Sequence, residues 1–185
     1  MRKVTFGGAS SLDNYFARKD HGMDWLMWSD EAGEIMGEFW KNVDTVVMGR
    51  KTYEIGLKMT EGKENPYGET KCYVFSRTLR PGVAKGGAAI VATDAVAFVR
   101  KLKRQAGKDI CVMGGGELAH SLLEGGVLDE IGFNIHPILL GSGVPLFHEM
   151  KRDIKLELLD CRRFKNGCVY VLYRVKRARA KRAAK

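Results

Sequence analysis

Long apolar runs are missing from this chain. Nowhere does it carry the roughly 20 consecutive apolar residues that a membrane-spanning helix needs, so no membrane partner is expected. Cysteine is sparse as well. Cys72, Cys111, Cys161 and Cys168 never fall into a C-x-x-C pair, and at least three lie in apolar strand-like runs, where cysteine packs as a small hydrophobe. Reduced, structural thiols are expected rather than a zinc site or a disulfide framework. His21, His120, His136 and His148 show neither metal-ligand spacing nor a companion nucleophile, and His136, before Pro137 at a strand end, reads as structural. No apolar signal-peptide core follows Met1-Arg2-Lys3, since Val4 opens a strand pattern directly, and a cytoplasmic protein is expected.

Acid is absent beyond Val175, where Lys176, Arg177, Arg179, Lys181, Arg182 and Lys185 stand among alanines. Without these six cations the formal charge falls from +9 to +3. The basic excess therefore belongs to a solvated, disordered tail over 176–185, and a nucleic-acid partner is not expected. The body, residues 1–175, reads as one domain, with no internal repeat and no linker. A chain of 185 residues with 45% hydrophobic content can bury roughly 70% of its unfolded surface.

What the chain does have is alternation. Val4–Ser10 reads as a strand. Asp30–Trp40 reads as a helix, with Ile35, Met36, Phe39 and Trp40 on one face. Strand Asp44–Gly49 and a short helix from Thr52 to about Leu57 follow, then a polar loop over Lys58–Glu69. Strand Lys71–Phe75 leads to a Pro81-Gly82 turn and strand Ala88–Thr93. Asp94 is placed to cap a helix carrying Val96, Phe98, Val99 and Leu102. Strand Asp109–Met113 leads to a helix from Glu117 to about Glu124, closed by Gly125-Gly126. Strand Glu130–His136 and a glycine-rich loop over Pro137–Phe147 come next. Lys155–Phe164 and Cys168–Val175 flank Asn166-Gly167, a strong hairpin signal. The expected class is α/β, a mostly parallel central sheet flanked by helices with an antiparallel C-terminal hairpin.

Three of these strands end on residues suited to a ligand. Val46-Val47-Met48-Gly49 runs into Arg50-Lys51-Thr52, Cys72-Tyr73-Val74-Phe75 into Ser76-Arg77, and Ile110-Cys111-Val112-Met113 into Gly114-Gly115-Gly116. Ligands of open α/β sheets bind outside the carboxyl ends of the strands, so the three would converge on one crevice. Arg50 and Lys51 oppose the dipole of the helix they open, which points to a bound anion that restores the balance. The glycines offer backbone N–H groups to a pyrophosphate. Gly114, Gly116 and Ala119 satisfy G-x-G-x-x-A, yet as a Rossmann fingerprint the run fails on context. It follows the fifth expected strand, and no acid ends the next one. The phosphate reading stands without it, with Glu117 pointing away from the anion.

Val46–Glu54 resembles the signature of dihydrofolate reductases, and Met113–Gly116 their glycine stretch. Leu118–Leu123, Leu128–Ile131 and Pro137–Phe147 more closely resemble the reductase domain of bifunctional riboflavin-biosynthesis deaminase-reductases, as Ser10–Ala17 resembles that family's first loop. The likeness runs to about Val175, and Gly143–Phe147 is its most specific part. It implies a dihydrofolate reductase-like fold, a homodimer, and NADPH as hydride donor. Gly49, Arg50, Lys51 and Thr52 would then hold phosphates, and Ser76 and Arg77 would face the 2′-phosphate. Gly114, Gly115, Gly116, Glu117 and Leu118 would line the pyrophosphate, while Leu12, Asp13 and Phe16 would border nicotinamide and acceptor. Asn14 replaces the glycine usual after that Asp, and Asn tolerates the left-handed region. With no deaminase zinc pattern in the chain, a stand-alone reductase is expected.

The proton donor is open. Asp30, Glu34 and Glu38 share one face of the first helix, and Asp13 is a further polar candidate. Trp25 and Trp28 could stack on a planar ring or pack in the core. Acceptors consistent with the resemblance are a ribosylaminopyrimidine phosphate or a reduced pterin, with weak or absent dihydrofolate reduction expected. The non-enzymatic alternative is a nucleotide- or RNA-binding module using the same crevice.

Overall fold

The computed structural model describes residues 1–60 and 69–176. Most of the Lys58–Glu69 loop and the tail beyond Lys176 lie outside them. In chain order the elements are β1 (Val4–Ser11), β2 (Tyr15–Ala17), α1 (Asp30–Lys41), β3 (Val43–Gly49), α2 (Arg50–Met59), β4 (Lys71–Phe75) and β5 (Gly82–Val83). A 3-10 turn (Lys85–Gly87), β6 (Ala89–Val91), α3 (Ala95–Arg104), β7 (Asp109–Met113) and α4 (Gly116–Glu124) follow, then β8 (Glu130–His136), β9 (Val144–Pro145), β10 (Leu156–Arg163) and β11 (Val169–Val175). No helix among the described residues is long and apolar enough to cross a membrane.

Nine strands form one sheet in the order β10-β11-β8-β1-β7-β3-β4-β6-β5. The run from β8 to β6 is parallel throughout; β11 joins β8 antiparallel, and β5 joins β6 antiparallel at the far edge. Strands covered on both faces read as continuous apolar runs. β3 shows why. Val47 sits in the core with Val99, Leu122 and Leu123 of α3 and α4, whereas Val46 and Met48 face the opposite cluster with Tyr53 of α2 and Phe39 and Trp40 of α1.

Four short features depart from the expected elements. α2 starts at Arg50, directly on the strand end, and runs to Met59 rather than spanning only Thr52–Leu57. The Pro81-Gly82 turn holds the edge strand β5. β2 and β9, expected as loop, pair into a separate two-stranded ribbon that ties the segment after β1 to the loop after β8. Two or three residues give too few alternations for a period-2 signal. At the hairpin only Gly167 takes a positive φ, +89°, and its N–H reaches the Phe164 carbonyl at 3.1 Å. The turn is therefore not the two-residue type in which Asn166 would also be left-handed.

Candidate functional site

The parallel strands bring Ser11, Met113, Gly49, Phe75 and Val91 to one edge of the sheet. Gly49 is in register with Phe75, and Met48 with Met113. All three motifs thus lie at the same edge of the sheet. Helix caps distinguish the helices. α1 is capped by Ser29, which accepts from the Ala32 N–H at 3.2 Å, and α3 by Asp94, which accepts from the Ala97 N–H at 2.7 Å. α2 and α4 begin at Gly49 and Gly115, with no side chain capping either. These two helices lie on opposite faces of the sheet, and their N-termini, with positive dipole ends and no side-chain cap, come to the same edge of it.

The glycines divide by what surrounds them. Gly114, at φ +73°, is pressed against Thr52, and a Cβ there would fall inside the Thr52 side chain. Gly116 abuts the Leu146 carbonyl oxygen, 2.7 Å from where its Cβ would stand. Around Gly49 and Gly115 a Cβ would meet nothing within 4 Å. Gly114 and Gly116 close the β7–α4 turn against α2 and the Leu146 segment. Gly49 and Gly115, the N-cap positions of α2 and α4, carry no such packing demand.

Arg50 lies along α2 and pairs with Glu54 at 2.9 Å, a half-exposed contact. Lys51 is exposed at the first turn, where no acidic residue balances it. Ser76 is buried; its hydroxyl accepts from the N–H groups of Thr78 at 3.2 Å and Leu79 at 2.9 Å, so it shapes the turn that presents the exposed Arg77. Glu117 is exposed, and Leu118 packs its side chain against the core, leaving only its backbone for a ligand.

On the other flank, Leu12 is exposed and its N–H meets the Ile138 carbonyl at 2.9 Å. The Asp13 carboxylate accepts from the Ser11 hydroxyl at 2.6 Å and from the N–H groups of Leu140 at 3.1 Å and Gly141 at 2.7 Å. The Ser11 hydroxyl foremost, and those two amides, hold its pKa below the ordinary carboxylate value. Two backbone donors tie Asp13 to the 137–143 loop, and the Ser11 hydroxyl holds it to the end of β1. Asn14 adopts φ +63°, the left-handed turn. Phe16 packs on the core beside Gly8. Trp25 is buried, its ring edge-on to His136 at 5.2 Å, whereas Trp28 is 74% exposed. Asp30 and Glu34 stand exposed on the first turns of α1. The contact between Trp25 and His136 joins residues 111 positions apart, which no local pattern announces.

Burial disfavours the thiolate in the core. Desolvation pushes the Cys72 thiol up to about 11 and that of Cys111 up to about 12. No group of His, Cys, Asp and Glu among the described residues could hold a metal.

The family model described as the RibD C-terminal domain matches residues 2–170. The uncharacterised protein YwjB of Bacillus subtilis (strain 168) is 34% identical over 164 residues, 88% of this chain and 92% of that protein. A provisional riboflavin biosynthesis protein of Shewanella sp. PV-4 superposes with a TM-score of 0.81 at 24% identity, covering 96% of this chain and all of that one. A deaminase/5-amino-6-(5-phosphoribosylamino)uracil reductase of Thermotoga maritima superposes with a TM-score of 0.68 at 14% identity, over 95% of this chain and 57% of that one. At such identities these two structures establish the common fold.

Proposed function

The chain belongs to the RibD C-terminal domain family, and from this we propose that it is an NADPH-dependent reductase acting on a ribosylaminopyrimidine-type acceptor. The observation that carries the reading is the pair of helix N-termini at Gly49 and Gly115, on adjacent strand ends, with no side-chain cap and with nothing within 4 Å of a Cβ at either glycine. That cradle suits a pyrophosphate, which backbone N–H groups and helix dipoles bind without charge of their own. NADPH, when bound, supplies the hydride, and the protein orients and shields it.

Each remaining part has a task. Thr52 buttresses Gly114 and so keeps the two helix ends adjacent. Lys51, and Arg50 once it leaves Glu54, add positive charge beside the phosphates, and Arg77 reaches a 2′-phosphate from the Ser76 turn. Leu12 and Phe16 border the acceptor, while Asp13 holds the 137–143 loop beside it. Asp30 and Glu34 are the available proton donors at the mouth, and Trp28 offers an exposed ring for stacking. The named chemistry of the Thermotoga maritima neighbour supports the acceptor class.

Titration with NADPH and NADH at one ionic strength tests the cofactor. A charge-assisted contact contributes about 1.5–3 kcal/mol, so NADPH is expected to bind about tenfold tighter or better, and Arg77→Ala should erase the preference without weakening NADH. Equal affinities in the parent protein would remove Arg77 from the cofactor site. Turnover of NADPH with a ribosylaminopyrimidine phosphate, set against dihydrofolate, tests the acceptor.

A further inference from the structure

We propose that His136 is a positioning residue. Its neutral imidazole clamps the 20–29 segment, the lead-in to α1, beside the acceptor side of the crevice, and its protonation loosens that segment. His136 is 2% exposed at the carboxyl end of β8. Its Nδ1 accepts from the Met27 backbone N–H at 3.2 Å, and the Cys168 thiol of the hairpin lies 3.5 Å from the same nitrogen. An Nδ1 that accepts carries no proton, so the hydrogen is on Nε2. Nε2 faces the Asn134 amide at 3.3 Å. Asn134 Oδ1 is buried without a partner, and a half-turn of the amide lets it accept from Nε2–H. One tautomer therefore satisfies the imidazole, the Met27 N–H and the Asn134 oxygen together.

The same atoms cannot accommodate a second proton. In the imidazolium both nitrogens donate, so Nδ1–H would point at the Met27 N–H donor. Nothing nearby offsets the charge. Trp25 presents a ring edge, Cys168 a buried thiol, and the adjacent β1 residue Ser11 has its hydroxyl committed to Asp13. Asp13 itself is held by the Leu140 and Gly141 amides, Asp24 by Arg18, and Glu31 accepts from the Lys165 N–H. No carboxylate or ammonium among the described residues pairs with the ring, and desolvation holds its pKa below the ordinary value. The other ties from the hairpin turn to this stretch are long and at exposed positions: Lys165 N–H to Glu31 at 3.3 Å and Asn166 Nδ2 to the Met27 carbonyl at 3.4 Å. His136 is the buried anchor. Only the effect on catalysis rests on the proposed function; the clamp does not.

The sign follows from the depressed pKa. The clamp contributes its full stability above the free imidazole value of about 6.5 and loses it as pH falls from there towards the folded value.

Trp25, seen alone in a Trp28→Phe, Trp40→Phe background, reports directly, since an imidazolium against an indole quenches emission and a neutral ring does not. Lowering the pH from about 8 to about 5 should quench Trp25 with a midpoint below about 6.5. His136→Asn retains an acceptor oxygen near the Nδ1 position but does not titrate, so it should keep Trp25 buried and flatten the profile. In the parent enzyme the acceptor KM should rise on acidification several-fold more than kcat falls, and His136→Asn should lose that rise. A flat Trp25 profile, or the same transition in His136→Asn, overturns the clamp. If His136→Asn does not fold, 15N shifts of the parent imidazole decide: a protonated Nε2 with bare Nδ1 near neutrality supports the clamp, and the opposite tautomer refutes it. A Trp25 transition without turnover of any acceptor would leave the clamp intact and remove the reductase reading.

Discussion

At the scale of single residues, the triple glycine is three different things. Gly114 answers to steric demand, with a left-handed backbone and Thr52 against its α-carbon. Gly114→Ala should therefore destabilise the fold by about 1–3 kcal/mol, the usual size of a strained backbone site, read as a lowered denaturant midpoint. Gly115 meets no such demand, and the proposed function gives it a ligand instead. Its Cβ direction is empty, so Gly115→Asp should fold with an unchanged midpoint while NADPH binding disappears, because a carboxylate would occupy the space offered to a pyrophosphate. A Gly115→Asp variant that folds and still binds NADPH would reduce the run to a tight turn.

At the scale of elements, side-chain caps separate α1 and α3 from α2 and α4, the pair to which the proposed function gives the cofactor. Asp94→Ala removes the acceptor of the Ala97 N–H and should cost about 1 kcal/mol, with no change in NADPH affinity, as thermal melts and titration would record. A drop in affinity would mean that α3 belongs to the site. The strand ends and their motifs were legible in the sequence because they are local: an apolar run buried on both faces, then glycine or a cation where a helix begins. The β2–β9 ribbon was not legible, since its pairing joins residues 130 positions apart in Tyr15 and Pro145. Trp25 was ambiguous for a related reason. Its core role depends on His136 of a distant strand, whereas Trp28, three residues on, stays in solvent. Asp13, a polar candidate by sequence, is drawn instead to two amides in a loop more than 120 residues later.

At the scale of the whole molecule, the two ends of the sheet divide the work. The carboxyl ends hold the open helix termini. The amino ends are held by buried charge: Arg2 bonds Asp44, Thr45 and the Lys108 carbonyl, and Lys103, only 4% exposed, bonds Asp129 and the Val127 carbonyl. Lys103→Met should strip two hydrogen bonds donated by the ammonium, one of them to a carboxylate, and cost about 1.5–3 kcal/mol. NADPH affinity should stay as it was, because the cofactor residues proposed above lie at the opposite, carboxyl end of the strands. Urea melts alongside NADPH titration check both halves of the expectation.

The placement of β1 also governs how the chain comes off the ribosome. This first strand pairs with residues 110–112 on one side and 130–136 on the other, so among the described residues its partners in the sheet are synthesised about 100 residues or more after it. The β3-β4-β6 block can assemble earlier from neighbouring segments. Phe6 and Val4, fully buried in the finished core, must therefore wait in the nascent chain, and during that delay aggregation competes with folding for them.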